Sequence, residues 1–273
     1  MSPRSLFDPA GFLTKEDAQA LTKRVLAMAK AEQTRVTLLG SARGNTRYAV
    51  NQVSSGGDNT NVTVQIRSVF GTKSASTTTN KLDDASLKAA VDMSERLARL
   101  GPDDPEAMRE LDPQTYDESP GWSSITESLD PAGRAAAVRA VTEPSRAAKL
   151  AATGYIESDA QAHAIANSTG LFAYGKQTAA AMTTTVRATD GSSSGWAGAA
   201  HTDRSNIDPE ARGARAIEKA HAWMPPVAPD SARHTAVLEP PAGRTLARTP
   251  ALARTAPRAG ARGGRVPHTA GGD

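Results

Sequence analysis

Residues 66–100 read IRSVFGTKSASTTTNKLDDASLKAAVDMSERLARL. A strand ends at Phe70-Gly71, a Ser/Thr run follows as the second arm of a hairpin, and Asp83 stands where a helix begins. That helix carries Leu87, Val91, Met93, Leu97 and Leu100 as its apolar set and ends at Gly101-Pro102. The order returns downstream. VRATDG (186–191) again closes a strand at glycine, a small-residue strand follows, and Asp208-Pro209 opens the helix EARGARAIEKAHAW, with Pro at the first helical position. The shared order predicts a duplicated helix/hairpin/helix unit. The fold class follows as α+β, antiparallel β-hairpins packed with flanking helices.

Working outward, TKED from Thr14 resembles a capping box and starts a helix expected to reach about Glu32. VTLLG (36–40) reads as a buried strand, TRYAVNQVSS (46–55) as a half-buried one, SGGDN (55–59) as a turn, and NVTVQIRSV (61–69) as a strand of period two. Residues 101–130 are rich in Pro, Asp, Glu and Ser, and read as a linker with one short helix. Asp130-Pro131 opens a further helix, interrupted at Pro144. Two strands then meet at Asn167-Ser-Thr-Gly170. The domain expectation is 1–125 as an N-terminal α+β domain (core about 35–100, with the linker) and 126–232 as a central α+β domain.

Aromatic residues are 4% of the chain, so the core must rest on Val, Leu, Ile and Ala. Residues 241–273 hold six arginines, no lysine and one acid, Asp273, and carry +5. With +3 for the whole chain, the first 240 residues carry −2. Basicity thus belongs to a structureless Ala/Arg/Gly/Pro tail, and nucleic acid is not an expected partner of the body. The absence of cysteine excludes disulfides and thiolate chemistry. The N-terminus has no apolar signal core and no run approaches a membrane span, so a cytoplasmic protein without membrane contact is expected.

Five histidines are the first candidates for chemistry. His163 lies on a strand, His201 stands two residues before Asp203 in a polar loop, His221 is near a helix end, His234 begins a strand and His268 is in the tail. No pair has H-E-x-x-H spacing, and neither a phosphate-binding loop nor a G-x-S-x-G elbow is present. The Asn61 and Asn167 sequons are idle without a signal peptide. No catalytic, cofactor-binding or metal residue is assigned. In SSSGWAG, Gly195 and Gly198 around Trp196 permit another backbone to approach, either as a strand lining a peptide cavity or as a Trp closing the domain edge.

The pieces RYAVNQVSSGGDNTNVTVQI, GTKSASTTTNKLDDASLKAAVDMSERLARLGPDDPE, AIANSTGLFAYGKQTAAAMTTTVRATDGSSSGWAG, SNIDPEARGARAIEKA and HTAVLEP, in order from about residue 35 to 240, resemble the TldD/PmbA family of metallopeptidases. The resemblance implies an N-terminal and a central α+β domain followed by a β-rich third domain, whose first strand is 233–240. It implies that active members bind zinc in that third domain through a His-Glu-x-x-x-His element. It also implies partner subunits without the element that pair with a paralogue. No zinc ligand carries over to any residue here. The expectation is a peptide-processing family protein truncated before its zinc domain by a frameshifted ending or an equivalent truncation, inactive alone, forming a homo- or hetero-oligomer; a natural basic tail is the other reading of residues 241–273. The alternative is a non-enzymatic interaction module.

Overall fold

The computed structural model describes residues 13–117, 120–222 and 230–253. The chain divides into two compact units, Met1–Met224 and Pro225–Asp273. In the first, α1 (Lys15–Leu26), β1 (Gln33–Ala49), β2 (Gln52–Phe70), β3 (Lys73–Thr79) and α2 (Asp84–Leu100) are followed by a strap holding the short α3 (Ser124–Glu127). Then come α4 (Pro131–Ala147), β4 (Leu150–Asn167), β5 (Phe172–Ala188), β6 (Ser194–His201) and α5 (Pro209–His221). The helix–three strands–helix order occurs twice, as the sequence predicts. Both copies share one antiparallel sheet, β3-β2-β1-β4-β5-β6, joined at β1–β4.

Local chemistry sets the boundaries. Asp83 accepts from the Ser86 N–H at 2.9 Å and Asp208 from that of Ala211 at 3.0 Å, so the two equivalent helices start on the same cap. Asp130 does the same for α4 through Gly133 N–H at 2.7 Å. Gly71 and Gly191 close the paired hairpins with positive φ, 57° and 77°.

All helices of this unit cover one face of the sheet. Val36, Leu38, Val64, Ile66, Leu87 and Val91 form one core with α1 and α2; Tyr48, Val138, Val141, Ala152, Met182 and Val186 form the other with α4 and α5. The core members on β1, β2, β4 and β5 are all even-numbered, and alternate residues share a face. Each large apolar side chain so buried contributes about 1.5–3 kcal/mol. The opposite face of β1, β2, β4 and β5, made by their odd-numbered residues, is largely polar and no helix of this unit packs on it.

Several expectations change. The first hairpin turns at Val50-Asn51 (φ 49° and 59°), and β1 runs unbroken through Ser41–Asn45. The segment SGGDN is strand: Asp58 bonds Arg134 of α4, and a Cβ on Gly44 would stand 2.1 Å from the Arg134 guanidinium. Gly44 therefore makes room for a buried arginine, and a register shift at Arg47/Tyr48 absorbs the extra residue. Helix α1 stops at Leu26, because Glu95 of α2 accepts the Lys30 and Ala31 N–H groups (the latter at 3.0 Å) and holds that loop out of the helix.

Helix α4 continues through Pro144 to Ala147; the buried Val138 and Val141 and the Ser145 hydroxyl, 2.8 Å from Val141 O, hold it across the lost ladder bond. On α2 the buried stripe is Leu87, Val91, Ser94, Glu95 and Ala98, while Met93, Leu97 and Leu100 are exposed. Ser94 turns inward to meet Ser68 at 2.6 Å, which rotates the expected apolar face. In the second unit, residues 233–239 carry no strand pairing, and Pro240–Ala253 is a helix, α6. Proline at its start and Ala, Arg and Leu within it are helix-compatible chemistry. The rest of the expected tail lies outside the described residues.

Candidate functional site on the open sheet face

Alternation puts Tyr155, Glu157, Asp159, Gln161 and His163 of β4 side by side on the helix-free face. Arg43 of β1 pairs with Asp159 (Nε–Oδ2 3.2 Å), Gln161 Nε2 donates to the same Oδ2 at 2.5 Å, and Gln161 Oε1 meets His163 Nε2 at 3.1 Å. A carboxylate, an amide and an imidazole thus stand in line, bracketed by an arginine. Asp159 Oδ1 is buried and has no partner. Beside them a cavity of about 640 Å³ is floored by Ala179 and Ala181 and walled by Arg43, Asn45, Asn59 and Glu157. Its size suits a small ligand or a short peptide segment. Arg47 stacks on Tyr155, 5.2 Å from the ring centroid, and desolvation followed by the Glu157 charge pushes the Tyr155 phenol above its ordinary range.

A second cavity, about 670 Å³, lies where the strap crosses the same face. Arg35 and Arg67 stand opposite each other on β1 and β2, a repulsive placement by itself. Glu110 of the strap enters between them, 3.1 Å from Arg67 and 3.7 Å from Arg35, with its N–H on Gln33 Oε1 at 2.7 Å. Asn167 and Thr169 then hold Leu111 O at 2.7 and 2.6 Å. Met108, Leu111, Tyr116 and Ile165 leave an exposed apolar rim.

The residues weighed from sequence are not brought together. His163 joins the amide line above. His201 Nδ1 accepts the Asp203 N–H at 2.9 Å, and the Asp203 carboxyl is held below its ordinary range by the Ser205 N–H and hydroxyl. His221 ends α5, and His234 Nε2 meets Asp230 O at 2.9 Å in the second unit. His268 lies outside the described residues.

The close approach at Gly195 is made by α5 itself, since a Cβ there would stand 2.1 Å from Ala216 O, and Trp196 folds over Gly198. SSSGWAG therefore seats a helix. Sequence reasoning took His163 singly and missed Asp159 and Gln161; the D-x-Q-x-H spacing on a strand was the available signal. Among the described residues no three His, Asp or Glu side chains are grouped to hold a metal ion. No described helix is long and apolar enough to cross a membrane.

Comparison with known proteins places this architecture. The fold matches TldE from Thermococcus kodakarensis (TM-score 0.66, 17% identity, 74% of this chain and 47% of that one). It also matches proposed modulators of DNA gyrase from Thermotoga maritima (0.64, 16%, 74% and 47%) and Bacteroides thetaiotaomicron (0.61, 14%, 77% and 50%). The chain spans about half the length of these solved structures. No curated protein sequence matches it. Residues 80–222, from the end of β3 through α5, match the family model described as the PmbA/TldA metallopeptidase central domain. The duplicated sheet and this match together make the chain a member of the TldD/PmbA family.

Proposed function

We propose that the protein acts in peptide processing in the cytoplasm, as a TldD/PmbA-type subunit whose described portion supplies a polar sheet face and no hydrolytic centre. The family match over 80–222 carries this reading. Zinc, which the resemblance implies for active members, does not fit the groups present: no described histidine is grouped with two further His, Asp or Glu side chains. No step is therefore routed through zinc on these residues. The described residues serve to bind and orient, and hydrolysis belongs to a partner with the His-Glu-x-x-x-His element.

A second reading, a non-enzymatic partner of a full-length paralogue, is favoured by the exposed Met93, Leu97 and Leu100 stripe on α2. The test is hydrolysis of a fluorogenic peptide by the chain alone, by a full-length paralogue carrying the element, and by their mixture. The expected result is no turnover by the chain alone, co-elution with the paralogue, and altered turnover in the mixture. Stoichiometric zinc retained after chelator dialysis, with turnover by the chain alone, would overturn the division of labour. Absence of both co-elution and any change in turnover would remove the peptide-processing role.

A further inference from the structure

Arg67 and Arg187 hold the same place in the two halves, each four residues before the positive-φ glycine that closes its hairpin. Across the ladder Arg187 meets Ala151, whereas Arg67 meets Arg35. The repeat is therefore built without a second arginine in one of its copies. Like charges directly opposite on a sheet are unfavourable, so Arg35 occupies a position where alanine is the easier residue.

One carboxylate serves both guanidinium groups. The buried Glu110 side chain lies 3.1 Å from Arg67 but 3.7 Å from Arg35. Arg67 also donates from Nη2 to Ser74 Oγ at 3.1 Å. Among the described residues the Arg35 guanidinium has no hydrogen-bond acceptor, and its side chain is 42% exposed. Its fork of five N–H donors is thus unspent on these residues. Beside it the cavity of about 670 Å³ is lined by Met108, Leu111 and Tyr116 of the strap and by Ile165, all of them exposed. Of the other charges there, Asp104 accepts the Glu106 N–H at 2.9 Å, and Glu106 and Arg109 are exposed and opposite in sign. The strap's own Glu110-Leu111 already sets a carboxylate and an apolar side chain against this wall.

We propose that this cavity binds a small apolar carboxylate, whose charge pairs with Arg35 in competition with Glu110 and whose apolar body lies against Ile165, Leu111 and Tyr116. Guanidinium–carboxylate pairing fixes the orientation, and the apolar contact supplies the remaining affinity. The shared chemistry is that of a free aryl or alkyl acid, or of the terminal carboxylate of a peptide ending in an apolar residue. The site does not depend on the peptide-processing reading.

Titration calorimetry of the full chain tests it with phenylbutyrate, acetyl-Ala-Ala-Phe and the amide of each. An acid is expected to bind with a Kd of about 1 mM or tighter, and its amide about 10-fold or more weakly. Binding of phenylbutyrate alone assigns the site to a free acid, binding of the tripeptide alone to a chain terminus, and binding of both to the shared group; each supports the proposal. No binding of either acid at about 10 mM, or equal binding of an acid and its amide, overturns it.

Two variants locate the site. Arg35→Gln is expected to weaken binding of the acid about 10-fold or more, and Glu110→Gln, which removes the competing charge, to tighten it by about the same factor. Loosened structure alone does not move the two affinities in opposite directions. Unchanged affinity in both variants overturns the assignment to this cavity.

Discussion

Arg134 of α4 reaches across to β2 and places Nη2 2.8 and 2.9 Å from the two carboxylate oxygens of Asp58. Its Nη1 donates to Leu129 O at 2.9 Å and its Nε to Thr46 Oγ1 at 3.3 Å. The guanidinium is buried, while Asp58 remains half exposed. Arg134→Ala removes the charge and leaves the Leu129 carbonyl without this donor. It is expected to lower stability by about 3 kcal/mol, read from the urea midpoint. Asp58→Asn keeps an acceptor oxygen, so its loss is expected to be smaller.

The Val50-Asn51 turn makes a second prediction. Val50 is β-branched, exposed and held at φ 49°, where such a residue is strained. Val50→Asn is expected to raise stability by about 1 kcal/mol. Asn51 pairs with the start of β4 like an extra strand residue: its amide reaches Leu150 O and Ala152 N–H, both at 2.8 Å. Asn51→Ala is therefore expected to cost about 2 kcal/mol. Thermal or urea unfolding of the two variants should move in opposite directions.

Gly195 is the contact on which α5 rests. A methyl group there meets Ala216 O and Ala220 N, helix backbone that cannot rotate away. Gly195→Ala is expected to cost about 2–3 kcal/mol by displacing α5 from β6. Amide exchange should rise in α5 while the α1/α2 core stays protected.

The strap depends on Glu110. Glu110→Ala leaves Arg35 and Arg67 opposed without their shared carboxylate, and the strap's crossing loosens. Tryptic cleavage after the exposed Arg109 is expected to accelerate by about 10-fold under native conditions. Unchanged cleavage would show that Asn167 and Thr169 alone hold the strap.

Asp83 gives a pH dependence. The Ser86 N–H and hydroxyl hold its carboxyl below the ordinary range. A depressed folded-state value contributes stability above the unfolded-state value, and that contribution is lost as pH falls through the folded one. Asp83→Asn still caps α2 but does not titrate. Wild type should therefore lose more stability than the variant when unfolding is compared at pH 7 and pH 3.

The duplicated order was readable because its signals are local. An aspartate cap and a positive-φ glycine act within a few residues, and both recur in each half. The first hairpin was not readable, because Ser-Gly-Gly-Asp-Asn is better turn chemistry than Val-Asn. What overrides it is tertiary: Asp58 of that segment is engaged by Arg134, far away in sequence. The inward turn of Ser94 and Glu95 was hidden for the same reason, since their partners Ser68, Lys30 and Ala31 lie on other elements. On the open face, single histidines drew the attention. The Asp159–Gln161–His163 line exists only once β4 is known to be a strand beside Arg43.

The seam between β1 and β4 has a consequence for how the chain comes into being. Every residue from Arg35 to Tyr48 pairs with a segment, Gly154–Asn167, that leaves the ribosome roughly ten seconds later at ordinary elongation rates. Until then the first half can close its own hairpins and core, but one side of β1 waits as an unfinished border. Nascent chains stalled before β4 should therefore be the species most prone to clump, and the most dependent on chaperones.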